Sequence, residues 1–319
     1  MVTFAISGRL AVSLAALGAV GEHWTRRLPG VLSSLERDWE ITCGGPLEGG
    51  NAAYVAEATT RTGRPVVLKV ALPAGIDGFP PLDQEVEALR LAAGDPYVEL
   101  IRHDAERHSV LVERLGRPLA SLGWSRTEQL RITARTLARG WRPVPVDRLP
   151  TGGTKAAWLA DYIERSWLEL GGPCSAAAAE LAVNYARQRE ACFEPARAVL
   201  VHGDVHPNNL LHVPRSSGEH GDFRLIDPEG LASEPAHDLG VVLRDWNDDL
   251  LTEGAPRVAF GRHQMVSSLT GIAPEPIWQW SFVERVSSGL FLLSLGHDNQ
   301  ALTFLKAADR LTGQTPPWK

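Results

Sequence analysis

The chain has 319 residues, 44% of them hydrophobic, and a formal net charge of -6 at pH 7. This length favours two lobes over one small core, and the acidic balance without a basic run argues against a nucleic-acid partner. The cysteines, Cys43, Cys174 and Cys192, are odd in number and widely spaced. They predict neither a disulfide framework nor a zinc site, and they favour a reducing, cytoplasmic compartment.

The first 20 residues are rich in apolar residues and include an arginine, a composition that secretory signals share. Polar residues at Ser7, Arg9 and Ser13 interrupt the apolar run, and none of its parts reaches the ~18 residues that a membrane-spanning helix needs. A small-residue cleavage site after a long apolar stretch is also missing from the sequence. We therefore predict an amphipathic segment that begins the fold, and no membrane association.

A glycine-dense turn lies between residues 44 and 53 and precedes a strand-like run. Small residues let backbone amides approach phosphate oxygens closely, so Gly49, Gly50 and Asn51 are candidates for nucleotide binding. A plain β-hairpin has the same turn chemistry. The turn alone leaves both interpretations open.

The strand predicted over residues 65–70 carries a single lysine, Lys69, among apolar neighbours. The helix predicted over residues 82–91 has an apolar stripe whose register favours Glu85 as the partner of Lys69, with Glu87 as the alternative. A lysine held by a helix glutamate can pair with the α- and β-phosphates of a nucleotide. A solvated position at a strand edge is the other interpretation of this lysine.

The buried strand predicted from Val110 ends at Gly116. It resembles a hinge whose backbone, at Glu113 and Leu115, would bind adenine; it is also compatible with a plain core strand. We place the boundary between two domains here.

The two predicted domains differ in composition. Residues 1–116 hold the predicted sheet and the Glu85 helix. Residues 117–319 are predicted to be mainly helical, with helices over 124–141, 154–170 and 176–193 and further helices after Asp238.

The residues from 198 to 240 carry the chemistry of this chain. Three short apolar runs have the character of buried strands, and Asp204, Asn209 and Asp227 stand at their ends or in the loops beside them. Phosphoryl transfer from Mg-ATP requires a group that orients the acceptor hydroxyl and two oxygen ligands for the cation. Asp204 is the candidate catalytic residue, and Asn209 and Asp227 are the candidate metal ligands. A plain turn is the alternative, since Asp and Asn are common turn residues.

The segment from His202 to Asn209, followed by Ile226 and Asp227, resembles the catalytic and metal-binding loops of the aminoglycoside phosphotransferases. Further likeness to the streptomycin- and hydroxyurea-type branch covers most of residues 20–245. The resemblance implies an α+β, bilobal protein-kinase-like fold, with a small β-rich N-lobe, a larger mainly helical C-lobe and an active site in the cleft between them. It implies ATP and Mg²⁺ as cofactors, and a hydroxyl of an aminoglycoside or related small molecule as the acceptor. It suggests antibiotic resistance without establishing it.

Within this resemblance, His202 and Asp238 would brace the catalytic loop and take no part in the reaction. The chain departs from the usual family pattern at Val205, Asn208 and the Ser233-Glu234 pair. Because Asn is the non-glycine residue most able to adopt a left-handed conformation, the turn can persist. The departure at Ser233-Glu234 affects the assignment of the substrate more than the assignment of phosphoryl transfer.

An acidic cluster follows at Asp245, Asp248 and Asp249. In the family such carboxylates can bind amino or guanidino groups of the acceptor, whereas a solvated helix face is the commoner fate of a charge cluster. The expected partner is a cationic or polyhydroxylated small molecule, and the chain is expected to be a monomer or homodimer.

Three alternatives to an aminoglycoside kinase remain: a metabolic kinase of the hydroxyurea, choline or homoserine type, a protein kinase, and a non-catalytic nucleotide-binding module. Gly203 stands where a protein kinase has an arginine, and the six residues from Leu231 to Ala236 leave no room for a phosphorylatable activation loop. Asp204 on the acceptor side has no use in a module that only binds nucleotide.

Overall fold

The computed structural model describes residues 6–47, 50, 52–73, 81–214 and 222–318. The chain divides into two compact units, residues 1–116 and 117–319. The described part of the first unit contains α1 (Gly8–Ala16), α2 (Ala19–Trp39), β1 (Ile41–Pro46), β2 (Ala53–Thr60), β3 (Pro65–Ala71), α3 (Leu82–Ala92), β4 (Leu100–Asp104) and β5 (Ser109–Glu113).

The first unit is built on a five-stranded antiparallel sheet with the strand order β1-β2-β3-β5-β4. Strand β3 shows why the sheet has two different faces, because its side chains alternate in burial. Val66, Leu68 and Val70 are buried against a cluster that includes residues of α1 and α2. The intervening residues, Lys69 among them, therefore point to the opposite face, since successive side chains of a strand alternate.

Helix α3 packs through Leu82 and Val86 against Val110 and other apolar residues of the sheet. These two residues lie four apart and share one face of the helix. The predicted apolar stripe of this helix is thus confirmed, and it fixes the register that brings Glu85 toward the sheet.

The amphipathic start predicted for the chain forms α1 and α2. The hydroxyl of Ser7 caps α1 by accepting from the backbone N–H of Leu10, as small polar residues do at helix N-termini. Leu28, Leu32 and Leu35 of α2 are buried at helical spacing. Within the described ranges, the helices are too short or too polar to cross a bilayer.

The second unit is mainly helical. Its described elements are α4 (Arg126–Gly140), α5 (Gly152–Glu169), α6 (Ala176–Ala191), β6 (Val199–Val201), β7 (Leu210–His212), β8 (Phe223–Leu225), β9 (Leu231–Ser233), α7 (Pro235–Leu243), α8 (Ala255–Thr270), α9 (Pro274–Ser294) and α10 (Asp298–Leu311). Strand β6 pairs antiparallel with β9, and β7 pairs antiparallel with β8.

Helix α9 is buried along most of its length and is packed by α6, α7 and α10. Trp278 and Trp280 on this helix are each 1% exposed. These tryptophans belong to the core of the unit, so they do not form a stacking surface for an acceptor.

Candidate active site

The candidate metal ligands lie at one end of the β7–β8 hairpin. Leu210 pairs with Leu225 in this hairpin, and the backbone N–H of Ile226 donates to the carbonyl oxygen of Asn209 at 3.0 Å. Asn209 comes directly before β7, and Asp227 follows Ile226. The antiparallel pairing therefore brings the two residues to the same end of the hairpin.

The backbone of Asp227 adopts a left-handed conformation with φ of 53°. Asp and Asn tolerate this region better than most non-glycine residues, but it is sparsely populated. Backbone strain of this kind tends to occur at functional sites, where the surrounding structure holds the residue in place. The sharp turn at Asp227 ends β8 and starts the short connection to β9.

The amide of Asn209 is oriented by one hydrogen bond. Its Nδ2 donates to the backbone oxygen of Asp204 at 3.0 Å, while its Oδ1 makes no hydrogen bond to any described residue. This oxygen and the carboxylate of Asp227 fit a hard cation that prefers oxygen ligands and retains waters and phosphate oxygens as further ligands. The described residues contain no group of three or more His, Cys, Asp or Glu side chains that could hold a metal.

The catalytic loop leaves the carboxyl end of β6. Gly203 has φ of +83°, and a Cβ at this position would come within 3.1 Å of the Cβ of Glu229. The loop thus requires glycine for its backbone conformation and for its close approach to the β8–β9 connection. The Glu229 carboxylate pairs with Lys155 of α5 at 2.7 Å, which ties this connection to a helix.

Asp238, in the first turn of α7, holds the backbone of the catalytic loop. Its carboxylate accepts from the N–H groups of His202 at 3.1 Å and Gly203 at 3.0 Å, and from Nε1 of Trp141 at 3.0 Å. The residue is fully buried, and hydrogen bonds to an ionised acceptor are stronger than neutral ones.

The side chain of His202 lies inside the loop, and both of its ring nitrogens contact backbone atoms. Its Nε2 is 2.8 Å from the carbonyl oxygen of Ile226, and its Nδ1 accepts from the backbone N–H of Asp204 at 3.2 Å. These partners require a neutral ring with the proton on Nε2, which donates to the carbonyl. His202 therefore links the catalytic loop to the residue before Asp227.

The side chain of Asp204 is 48% exposed, and its Oδ1 accepts from Nη2 of Arg244 at 2.6 Å. Its Oδ2 makes no hydrogen bond to any described residue. Burial alone would raise the pKa of the Asp204 carboxyl, but Arg244 and His206 outweigh this effect and hold the pKa below its ordinary value. The carboxylate is ionised and has one oxygen available to a hydroxyl.

Arg244 was not singled out by the sequence analysis. It lies at the C-terminus of α7, and its Nη1 donates to Oε2 of Glu284 on α9 at 3.2 Å. Although burial alone would raise the pKa of Glu284, a hydrogen bond from His237 and the charge of Arg244 lower it to about 2. The signal that could have identified these residues is a charge within an apolar helix, because a buried charge requires a partner.

In the first unit, Lys69 forms an ion pair with Glu85, the partner that the helix register favoured. Its Nζ lies 2.6 Å from Oε2 of Glu85, and the two side chains are 17% and 11% exposed. Of the glycine-loop residues, Gly49 and Asn51 lie outside the described residues. Gly50 is described, and its carbonyl oxygen accepts from the hydroxyl of Ser7 at 3.4 Å.

The hinge residues differ in their backbone contacts. Glu113 donates its N–H to the carbonyl oxygen of Glu99 at 3.1 Å, and its side chain accepts from the N–H of Glu99 at 2.9 Å. Leu115 is buried, and neither its N–H nor its carbonyl oxygen bonds to a described residue. Of the two predicted hinge residues, Leu115 is thus the one whose backbone makes no hydrogen bond within the described ranges.

The three acidic residues after α7 have different environments. Asp249 accepts from both Arg126 and Arg262, so its charge is compensated within the chain. Asp248 is exposed. Burial raises the pKa of the Asp245 carboxyl, while Arg244 and His206 act in the opposite direction. Asp245 is therefore a stronger candidate for contact with an acceptor than Asp249.

The solved structures that resemble this chain share its fold. An aminoglycoside phosphotransferase, APH(4)-Ia, in a ternary complex with AMP-PNP and hygromycin B, has a TM-score of 0.60 at 17% identity, with 88% of this chain and 98% of that chain covered. Choline kinase LicA from Streptococcus pneumoniae has a TM-score of 0.58 at 14% identity, with 91% and 100% covered. The predicted fold class, a protein-kinase-like fold of a small-molecule phosphotransferase, is thereby confirmed.

The sequence comparisons identify the family. The family described as aminoglycoside/hydroxyurea antibiotic resistance kinase matches residues 38–296, and the chain belongs to it. A streptomycin 6-kinase of Streptomyces glaucescens is 29% identical over 307 residues, covering 93% of this chain and 95% of the relative. A streptomycin 6-kinase of Streptomyces griseus is 29% identical over 268 residues, covering 78% of each. The predicted family is thus confirmed, and the chain is a phosphotransferase that acts on a hydroxyl group.

Proposed function

We propose that this protein transfers the γ-phosphoryl group of ATP to a hydroxyl of streptomycin or a closely related cationic aminoglycoside. The observation that carries the proposal is the Asp204 carboxylate, which is 48% exposed and holds one oxygen on Arg244. Its other oxygen can accept a hydrogen bond from the acceptor hydroxyl and aim it at the phosphorus atom. Because the transition state of such transfers is loose, this orientation matters more than strong basicity.

The nucleotide would be bound by residues of the first unit. The Lys69 ammonium, held by Glu85 at 2.6 Å, has the charge and the rigid placement that the α- and β-phosphates require. The backbone of Leu115, and that of Glu113 two residues before it, would bind the adenine base. Backbone amides of the turn at Gly49, Gly50 and Asn51 would approach the phosphate oxygens.

Asn209 and Asp227 would hold Mg²⁺ at the end of the β7–β8 hairpin. When bound, this cation neutralises the negative charge that develops on the phosphates. His202 and Asp238 would keep the loop in place through the hydrogen bonds described above, so that Asn209 and Asp204 retain their orientation.

The acceptor would be recognised through its positive charge. Asp245 follows Arg244 directly and interacts with Asp204 and His206, so a cation bound by Asp245 would lie beside the catalytic carboxylate. A guanidino or amino group on the acceptor suits this position. The relatives named as streptomycin 6-kinases favour streptomycin and its 6-hydroxyl as the site of transfer, and the same reaction would confer resistance to the drug.

The test is ADP release by the purified protein with Mg-ATP and a panel of streptomycin, hygromycin B, hydroxyurea, choline and homoserine. Asp204→Ala serves as the inactive variant, and Asp147→Ala, which removes an exposed carboxylate of the same unit, as the matched control. We expect streptomycin to stimulate turnover in the wild type and in Asp147→Ala but not in Asp204→Ala. Phosphorus NMR of the product then identifies the modified hydroxyl.

Two results would redirect the proposal. Turnover with choline, homoserine or hydroxyurea and none with streptomycin would show that the acceptor belongs to another class, while the proposed phosphoryl transfer would stand. Equal turnover in the wild type and in Asp204→Ala would remove Asp204 from the reaction.

A further inference from the structure

A line of three charge contacts runs from the catalytic loop into helix α9. Arg244 Nη2 contacts Oδ1 of Asp204 at 2.6 Å, and its Nη1 contacts Oε2 of Glu284 at 3.2 Å. The second oxygen of Glu284 lies 3.2 Å from Nε2 of His237. One guanidinium thus bridges two carboxylates, one at the reaction site and one in the core.

Burial increases steadily along this line. The side chain of Asp204 is 48% exposed, that of Arg244 is 16% exposed and that of Glu284 is 5% exposed. His237 is fully buried and stacks on Trp280 with 4.0 Å between ring centroids. Only the Asp204 end can meet an acceptor, so the residues behind it can act on the reaction only through that carboxylate.

The position of Arg244 is fixed by the packing of α7 on α9. A Cβ at Gly240 would overlap the Cβ of Trp280 and come within 2.8 Å of the backbone nitrogen of Ser281, so the two helices are in direct backbone contact here. The same helix carries Asp238, whose carboxylate binds the backbone of the catalytic loop. Helix α7 therefore holds the loop backbone through its first turn, and Arg244, the residue at its C-cap, holds the Asp204 side chain.

We propose that Arg244 is a positioning residue of the phosphoryl transfer: it fixes Oδ1 of Asp204 and so directs Oδ2 to the acceptor hydroxyl, while Glu284 fixes Arg244 from behind. A planar guanidinium suits this role, because its N–H groups diverge in a rigid fork that can hold two carboxylates at set angles. The inference rests on the proposed function for its kinetic test. It assigns Asp204 a defined rotamer, which a loop carboxylate with 48% exposure would not otherwise keep.

The test compares the wild type with Arg244→Met, Arg244→Lys and Glu284→Gln in the streptomycin-dependent assay. For Arg244→Met we expect kcat to fall roughly 10²-fold, the usual scale of a misplaced reacting group, with KM for ATP unchanged. Arg244→Lys keeps the charge but loses the forked guanidinium, so its kcat should lie between those of the wild type and Arg244→Met. The decrease in kcat should be smaller for Glu284→Gln than for Arg244→Met. The matched control is Arg107→Met, since Arg107 also bridges two carboxylates, Asp104 and Asp38, in the first unit. It should keep the wild-type kcat.

A double-mutant cycle separates positioning from general damage. If Arg244 acts through Asp204, adding Arg244→Met to Asp204→Asn should cost no further activity. Urea unfolding of the wild type, the two single variants and the double variant measures the interaction between Arg244 and Asp204 without any acceptor. We expect the effects of the two substitutions on the free energy of unfolding to be non-additive. Additive stabilities, or a wild-type kcat in Arg244→Met, would overturn the inference. Absence of acceptor-dependent turnover in the wild type would refute the proposed function, and the unfolding cycle alone would then decide whether Arg244 holds Asp204.

Discussion

The amide of Ile226 donates to the carbonyl oxygen of Asn209 at 3.0 Å, one step beyond the last paired residues of the β7–β8 hairpin. This single backbone bond decides where two distant parts of the sequence meet. It places an amide oxygen and a carboxylate at one end of a short, buried hairpin. The separation of the two proposed Mg²⁺ ligands is therefore set by main-chain geometry.

Asp227→Asn tests the cation site. Asn accepts the left-handed backbone at this position, so the turn should survive while the negative charge is lost. We expect the affinity for AMP-PNP in the presence of Mg²⁺ to fall by roughly 10–100-fold, the scale seen when metal sites are impaired, as measured by calorimetry. In EDTA the variant and the wild type should bind nucleotide equally. Asp222→Asn, at the opposite end of the hairpin and paired with Arg139 at 3.0 Å, is the control and should bind normally in both buffers.

Lys69→Met tests the phosphate contact. We expect kcat/KM for ATP to fall roughly 10²-fold, a typical cost of removing one well-placed stabilising group, and Glu85→Gln to give a smaller loss through Lys69. Arg64→Met is the control in the same unit, because its pair with Glu99 has side chains that are 46% and 47% exposed. Exposed pairs contribute little. A normal kcat/KM for ATP in Lys69→Met would contradict the assignment.

Gly240→Ala tests the contact between α7 and α9. The added methyl group would overlap Trp280, and forced overpacking of this kind usually costs about 1–3 kcal/mol. Urea unfolding should show that loss, and kcat should also fall because Asp238 and Arg244 move with the helix. Gly261→Ala on α8 meets nothing within 4 Å. It should stabilise the protein by up to about 1 kcal/mol, since Ala is the better helix former.

His263 predicts a loss of stability in acid. Its Nδ1 lies 2.7 Å from the carbonyl oxygen of Ala259 and its Nε2 2.9 Å from the hydroxyl of Ser281, and burial lowers the pKa of the ring to about 3. Between that pKa and the ordinary value of about 6.5, the unfolded chain binds a proton that the folded chain does not. The free energy of unfolding should therefore decrease as the pH falls through this window.

The measurement for His263 is urea unfolding at pH 7 and pH 5. His263→Gln should show a smaller drop in stability between the two pH values than the wild type. An exposed histidine, His23, provides the control: His23→Gln should leave the drop unchanged. An identical pH dependence in the wild type and in His263→Gln would contradict the prediction.

Local spacing was sufficient to propose Asp204, Asn209 and Asp227 as one set of candidate site residues. Asp204 and Asn209 are five residues apart, and Asp227 follows the next short apolar run, so their relationship can be read from one short stretch of sequence. The partner of Lys69 was also predictable, because an apolar stripe fixes the face of a helix. These are periodic or short-range features.

Arg244 and Glu284 could not be predicted in the same way. Arg244 is forty positions beyond Asp204, and Glu284 is another forty beyond Arg244. Their contact depends on how α7 and α9 cross, which follows from the absence of a side chain at Gly240. Strand β9 was missed for a related reason: it has three residues, and only its pairing with β6 makes it a strand.

Two helices begin at residues other than those predicted, because capping side chains determine where they start. Helix α4 begins at Arg126, because the side chain of Ser125 accepts from the N–H of Glu128. Helix α5 begins at Gly152, because Thr151 and Thr154 form a reciprocal capping box. Capping side chains thus determine the first residue of each helix, which the spacing of apolar residues alone did not determine.

Arg244 lies between Leu243, the last residue of helix α7, and Asp245, the first residue of the acidic cluster. Under the proposed function, the group that positions the catalytic carboxylate and the group that binds the positive charge of the acceptor would therefore be attached to neighbouring positions of the backbone. Exchanging residues 245–249 between relatives, with Arg244 and Glu284 retained, should change the acceptor specificity while the reaction is kept.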